Sequence, residues 1–256
     1  MEKLPYSAVI VDLDRTLLRT DKTVSAYTLE VLEKWKSAGA YLFAATARPE
    51  RAITEYREMI GFHAVTTLNG ARTVTPASVS ANAISPGDAV HILRRLGKTG
   101  GMVISVEAEK GIYTNTDIPA WSPAVISDIE ALPGREAVYK ILASHPDIPP
   151  EQIGIDLPEG VYSTVADKKL RQYMSRSATK WEGVRQMLRD FGTDAARAVF
   201  FGDDNDDIGP IRECGCGVAV GNALDCVKEC ADHITLSNDE DGVAVFLDRM
   251  LRGEEM

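Results

Sequence analysis

Ala8-Val9-Ile10-Val11 is an apolar run with no polar residue in it, and it leads straight into Asp12-Leu13-Asp14. A strand with one face in water alternates apolar and polar residues. A run without alternation marks a strand buried on both faces, as in a parallel sheet sandwiched between helices. The same texture returns in Tyr41-Leu42-Phe43-Ala44-Ala45, Ala198-Val199-Phe200-Phe201 and Gly217-Val218-Ala219-Val220, with Asp232 to Thr235 as a further strand. After the first run, Ser25 opens a helix whose Leu29, Leu32 and Trp35 share one face, and Gly39 stops it. After the second, Pro49 sits where a first helical turn tolerates it, and that helix runs to Gly61. His63 to Leu68 is the next strand, Trp181, Val184, Leu188 and Phe191 lie at helical spacing, and a closing helix covers 240–251. Strands and helices in this order predict a doubly wound, Rossmann-like α/β sheet.

The middle of the chain reads differently. Short strand-like segments at 102–106, 111–115, 138–143, 161–165 and 170–174 are separated by Gly, Pro and Asp turns, with helices expected at 87–96 and 123–131. The predicted architecture is a discontinuous core over 1–79 and 176–256 with an α+β domain inserted at 80–175.

The balance of charge narrows the partners. With 38 acidic against 28 basic side chains, the formal charge is -10, which argues against a nucleic-acid footprint and against anionic membrane surfaces. No apolar run approaches the length of a membrane span, and the first residues carry no signal-peptide pattern, so a cytoplasmic protein is expected. Cys214, Cys216, Cys226 and Cys230 fall within one short stretch, too local to staple the chain. The single residue between Cys214 and Cys216 is too few for the usual zinc spacing, so small, buried, reduced thiols are expected.

Two acidic clusters sit at strand ends, where ligands of open parallel sheets bind. In Asp12-Leu13-Asp14-Arg15-Thr16, strand alternation would turn both carboxylates to one side. In Gly202-Asp203-Asp204-Asn205-Asp206-Asp207, four aspartates in five residues repel one another unless a cation lies among them. Mg2+ suits a few carboxylates plus phosphate and water, whereas a calcium loop fails because neither register supplies both the turn glycine and the bidentate glutamate. Thr46-Ala47-Arg48 closes the second strand with a hydroxyl and a cation. Lys180, by itself an ordinary surface lysine, stands where the chain re-enters the core.

The ordered set Asp12-x-Asp14-x-Thr16, Thr46, Lys180 and Gly202-Asp203-x-x-x-Asp207 resembles the four motifs of the haloacid dehalogenase superfamily. Leu68-Asn69-Gly70-Ala71, the insert position, Gly221-Asn222-Ala223 and Asn238 to Gly242 resemble its Cof-type branch (subfamily IIB), which carries a type C2 cap. The resemblance implies a phosphatase in which Asp12 attacks phosphorus to form an aspartyl-phosphate, Asp14 is the acid/base, and Thr46 and Lys180 hold the phosphoryl group. It further implies Mg2+ held by Asp12, the backbone carbonyl of Asp14, Asp203 and Asp207, with Thr16, Arg48, Asn69 and Gly70 on the substrate side. In this picture Asp12, Asp14, Asp203, Asp206 and Asp207 all converge on one cation. The substrate would be a small phosphorylated metabolite, a sugar phosphate by class, selected by the insert, and the protein a monomer or homodimer.

This chain departs from the pattern in four places: Arg15 replaces a usual Gly, Ala47 a Gly, Asp206 an Asn and Pro210 a Met. A phosphomutase, or a phospho-accepting regulatory module without turnover, would use the same core. Asp14 speaks against the second, which has no need of an acid/base. His91, His145, Tyr113 and Trp121 of the insert read as packing or surface residues rather than ligands.

Overall fold

A computed structural model describes residues 4–119, 123–166 and 169–254 of the chain. They divide into two compact units, Met1–Ser80 with Thr179–Met256, and Ala81–Ala178.

The first unit begins with β1 (Ala8–Val11), α1 (Ala26–Ser37), β2 (Tyr41–Ala45), α2 (Thr54–Ile60), β3 (Ala64–Thr67), β4 (Arg72–Val74) and β5 (Val79–Ala81). The second unit holds α3 (Pro86–Leu96), β6 (Val103–Ala108), β7 (Gly111–Thr114), β8 (Ala124–Val125), β9 (Val138–Ser144), β10 (Val161–Ala166) and β11 (Leu170–Ser175). The chain then returns through α4 (Lys180–Asp190), β12 (Ala198–Gly202), α5 (Ile208–Glu213), β13 (Cys216–Ala219), α6 (Asp225–Lys228), β14 (His233–Ile234) and α7 (Gly242–Leu251).

The core sheet has the order β14-β13-β12-β1-β2-β3-β4-β5, parallel from β14 through β3, with β4 antiparallel to β3. β1 is central: Ala8 pairs in register with Tyr41 on one side and with Ala198 on the other. Both of its neighbours are therefore parallel, and it has no solvent edge.

Both faces of this sheet are covered, which is why its strands lack alternation. Phe43 meets Phe191 beyond the end of α4 with ring centroids 4.9 Å apart. Phe201, one register step further along, points to the opposite face and meets Phe246 of α7 edge-on at 5.5 Å. On that α7 side, Trp35 of α1 is wholly buried and its indole N–H donates to the Leu247 carbonyl at 3.1 Å. Ser25 caps α1 as the sequence suggests, accepting from the Thr28 N–H.

The second unit is a six-stranded sheet ordered β10-β11-β9-β6-β7-β8, antiparallel except between β7 and β8. α3 and the apolar side of this sheet, including Ile92, Ile104, Val106 and Tyr173, form its core. The helix expected at 123–131 is not present. Strand β8 and a 3-10 turn over Ile129–Gly134 stand there instead, the turn capped by Asp128, whose side chain accepts from the Ala131 N–H. The pattern beginning at Pro49 is likewise split, into a 3-10 turn at Glu50–Ala52 and α2. β4, β5, α5 and α6 are short elements that periodicity alone does not reveal.

All four cysteines are free, and Cys214 and Cys216 are buried, with burial pushing their thiols up to about 12 and about 11. Cys226 is exposed and Cys230 half-buried, so the expectation of four buried thiols holds for only two. Among the described residues no helix is long and apolar enough to cross a membrane.

Trp35→Ala removes the largest fully buried side chain among the described residues together with its hydrogen bond, and is expected to cost about 3–5 kcal/mol of stability in denaturant unfolding. Cys226→Ser, at an exposed position, is expected to shift it by less than about 0.5 kcal/mol.

Candidate active site

β1 lies where the direction of strand progression reverses, with β2 following on one side and β12 on the other, and the carboxyl ends of β1 and β12 open the crevice that this reversal creates. Strand pairing ends at Val11 and the chain turns immediately. Leu17 N–H donates to the Asp12 carbonyl at 3.3 Å, and Leu18 N–H to the Leu13 carbonyl at 2.8 Å. Asp14 is therefore carried on a turn, and strand alternation does not aim it alongside Asp12.

After β12, Asp207 folds back on its own loop. Its Oδ2 accepts from the backbone N–H groups of Asp203 and Asp204 at 3.0 and 3.1 Å, forming a capping box with Asp204. Gly202 permits this, since a Cβ there would collide with the Asp207 side chain. Lys180, the first residue of α4, sends its ammonium between the halves: 2.9 Å to Asp12 Oδ1 and 2.6 Å to Asp207 Oδ1. All three are buried. Thr179 caps α4 by accepting from the Glu182 N–H, which fixes where Lys180 begins.

Asp12, Asp203 and Asp207 each offer a carboxylate oxygen within 4.8 Å of the others. Burial lifts the Asp12 carboxyl well above its usual range, against the pull of Lys180, and Asp207 and Asp203 lift it further. Burial and Asp207 push Asp203 up to about 6, although the Thr16 hydroxyl donates to it at 2.9 Å. Burial alone would lower the Lys180 ammonium, but Asp12 and Asp207 raise it, so it stays charged. Against these three carboxylates stand the Lys180 ammonium and, 4.0 Å from Asp203, the largely solvated Arg15 guanidinium, so negative charge remains in excess inside the site. A divalent cation with hard oxygen ligands fits that donor set.

The structure thus brings together three of the five carboxylates expected to converge. Asp14 is held elsewhere: Arg48 Nε donates to Oδ2 at 2.5 Å, Arg48 Nη2 to Oδ1 at 2.7 Å, and Lys22 Nζ to Oδ1 at 2.7 Å. Burial would raise Asp14, but hydrogen bonds from Arg48 and Lys22 outweigh it and hold the carboxyl below its usual value. Asp206 faces Asn69, whose side-chain amide donates to it. Asp204 and Asn205 are exposed and bonded to each other.

Thr46 is fully buried and its hydroxyl accepts from the Arg48 N–H at 3.2 Å. The segment 46–48 is laced to 68–69, with Asn69 N–H donating to the Thr46 carbonyl and Leu68 N–H to the Arg48 carbonyl, both at 3.0 Å. Leu68, Asn69 and Gly70 are all left-handed, with φ of 50°, 52° and 90°. Only at Gly70 is the reason steric: a Cβ there would run into the Thr179 carbonyl, so the glycine lets the loop pass against the residue that places Lys180. Asn69 is buried, and its Oδ1 has no hydrogen-bond partner among the described residues.

Sequence reasoning overlooked Lys22, and it quoted Asn222 and Asn238 without a role. Asn222 Nδ2 donates to the Arg15 carbonyl at 2.7 Å and Asn238 Nδ2 to the Leu18 carbonyl at 3.0 Å, while Asn222 Oδ1 accepts from the Asn238 N–H at 2.9 Å. The two asparagines brace the loop that carries Asp14. Arg15 on that loop takes φ 61°, the left-handed conformation that glycine adopts freely, and its side chain lies largely in solvent with Nε 4.0 Å from Asp203. In the second unit, His91 and His145 bond to the carbonyls of Asp156 and Gly100, and Tyr113 to Glu136. Trp121 lies outside the described residues.

Comparison with known proteins places this geometry in context. The family model of haloacid dehalogenase-like hydrolases matches residues 9–247. The 5-amino-6-(5-phospho-D-ribitylamino)uracil phosphatase YitU of Bacillus subtilis is 25% identical over 269 residues, covering 96% of this chain and 98% of its own length. The solved structure of the phosphatase BT1666 of Bacteroides thetaiotaomicron has a TM-score of 0.83 at 24% identity, covering 96% and 95% of the two chains. The subclass IIB sugar phosphatase BT4131 gives 0.80 at 22% identity, covering 95% and 98%.

Two substitutions separate strain from function. Arg15→Gly is expected to stabilise the protein by about 1 kcal/mol in thermal unfolding, by relieving the left-handed residue. Gly70→Ala should displace Thr179 and with it Lys180, lowering turnover on the order of 100-fold in steady-state assays.

Proposed function

The chain belongs to the haloacid dehalogenase-like hydrolases and is a phosphatase of their Cof-type branch, and from that premise we propose that it hydrolyses a small phosphorylated metabolite, a sugar phosphate by class, with Mg2+ and through an aspartyl-phosphate. The observation that carries the mechanism is the buried ammonium of Lys180 set between Asp12 and Asp207, beside a third carboxylate, Asp203.

Asp12 is the nucleophile. An Asp12 carboxylate oxygen bonds to phosphorus as the bond from phosphorus to the ester oxygen breaks, and Asp14 gives a proton to the departing alcohol. Water then attacks the aspartyl-phosphate and passes a proton to Asp14. Inorganic phosphate leaves, and the Asp12 carboxylate and the protonated Asp14 are restored. Lys180 holds Asp12 in place and offsets charge on the phosphoryl oxygens, with the Thr46 hydroxyl as a second contact. Asp12, Asp203, Asp207 and the Asp14 carbonyl would hold Mg2+, which when bound neutralises charge so that an anionic nucleophile and an anionic phosphate can approach.

Asp14 must alternate between acid and base. Arg48 and Lys22 favour its carboxylate form, which suits the second half-reaction. An anionic phosphoryl group entering nearby favours the protonated form, which the first half requires. Asn69, with a buried and unpartnered oxygen, and Gly70 are assigned to the substrate side, and Asp207 to orienting Lys180. Substrate selection is assigned to the inserted domain. The sugar phosphate class draws support from two relatives: the YitU substrate carries its phosphate on a ribityl chain, and BT4131 is a sugar phosphatase.

Purified protein is expected to hydrolyse 4-nitrophenyl phosphate with Mg2+, to lose activity in EDTA and to regain it when Mg2+ is restored. Asp12→Asn should abolish turnover. Screening phosphorylated sugars, sugar alcohols, nucleotides and cofactors for released phosphate names the substrate, and phosphate release without an accumulating isomer distinguishes hydrolysis from phosphoryl transfer within the substrate.

A further inference from the structure

Lys22 reaches Asp14 from a turn that is unusually well secured. The turn spans Arg19 to Thr23, closed by Arg19 N–H to the Thr23 carbonyl at 3.0 Å and Lys22 N–H to the Arg19 carbonyl at 2.9 Å. Lys22 itself takes φ 70°, a left-handed conformation costly for a residue with a Cβ. Three anchors hold it there. Arg19 makes a two-pronged bond to Asp241 at 3.1 and 2.6 Å. Thr20 gives its N–H and its hydroxyl to Asp239, each at 2.8 Å. Tyr56 of α2 donates its hydroxyl to the Lys22 carbonyl at 3.0 Å, and the Arg48 guanidinium lies 5.3 Å over the same ring.

Stability does not account for this arrangement. The Lys22 side chain is 48% exposed and that of Asp14 35%, and an ion pair so open to water adds little to stability. The strain at Lys22 is of similar size and opposite sign. What the turn achieves is placement. Arg48 alone would let the Asp14 carboxyl follow a single long side chain, whereas Lys22 grips Oδ1 from a separate element.

Resting on the phosphatase reading above, we infer that Lys22 is a positioning residue which, together with Arg48, fixes the Asp14 carboxyl at the orientation needed to protonate the leaving oxygen. Lys22 has no contact with Asp12, Asp203 or Asp207 in this role, and acts on the reaction only through Asp14.

The test exploits the fact that a leaving group acidic enough to depart as an anion needs little help from an acid. Wild type, Lys22→Met and Lys22→Arg are compared on a series of substituted aryl phosphates from 4-nitrophenyl to phenyl phosphate. In Lys22→Met, kcat/KM should fall increasingly as the leaving group becomes poorer, with a further loss of about 10- to 100-fold between the ends of the series beyond that of wild type. Lys22→Arg should recover most of the lost slope. An equal loss across the series, or no loss, would overturn the inference while leaving the phosphatase reading intact. Wild-type protein inert on the whole series would overturn that reading, and the inference with it. Thermal unfolding of the Met variant within a few degrees of wild type confirms that the protein being assayed is folded.

Discussion

Among the described residues the ammonium of Lys180 is the one cation buried with Asp12 and Asp207, and the site depends on it. Removing charge from water is costly, and a buried ion repays the cost only when its partners are close and its remaining bonds are made. Each local feature near it serves that end. Thr179 sets the start of α4, Gly70 lets the neighbouring loop approach, and Gly202 lets Asp207 turn back to accept both the ammonium and its own loop's N–H groups. Even so, the ammonium satisfies only part of the charge around it. Under the mechanism proposed above, that remainder is what a hard divalent cation would answer.

The second electrostatic unit is separate in both position and purpose. Asp14 is half-exposed and gripped by two cations from two elements, whereas Asp12 is buried and shares its one ammonium with Asp207. Two carboxylates two residues apart in sequence thus meet opposite environments, one raising its proton affinity and the other lowering it. Surroundings, and not position along the chain, set the proton affinity of each carboxyl on this one short loop.

Much of this was legible in the residues. Unalternated runs at β1, β2 and β12 revealed a sheet covered on both faces, and the acidic clusters at their ends marked the edge that matters. The positions of Asp12, Lys180, Asp203 and Asp207 in that reading rested on motif order as well as on chemistry. What could not be read was anything set by backbone turning or by long-range pairing. Extended geometry put Asp14 beside Asp12, but the chain turns at once, and the Asp14 partners Lys22 and Arg48 come from other loops. Asp206 was counted among the carboxylates that converge on the cation because composition cannot tell which of four aspartates in five residues face inward. Where a helix was expected at 123–131, the chain instead pairs β8 with β7, a strand pairing that local spacing does not show.

The central place of β1 has a consequence for how this chain comes into being. Its register partner Ala198 lies at the far end of the sequence from Ala8, with the whole second unit between them. A chain emerging from its amino end can pair β1 with β2 early, but the other edge of β1 stays open until β12 has been made. Pairings so distant in sequence form slowly, because the intervening loop must close before any contact rewards it. Throughout that interval Val9, Ile10 and Val11 present an apolar, hydrogen-bond-hungry edge to any other strand in reach. The feature that sets Asp12 in place in the finished protein, a strand with no free side, is also what leaves the nascent chain exposed to wrong partners for longest.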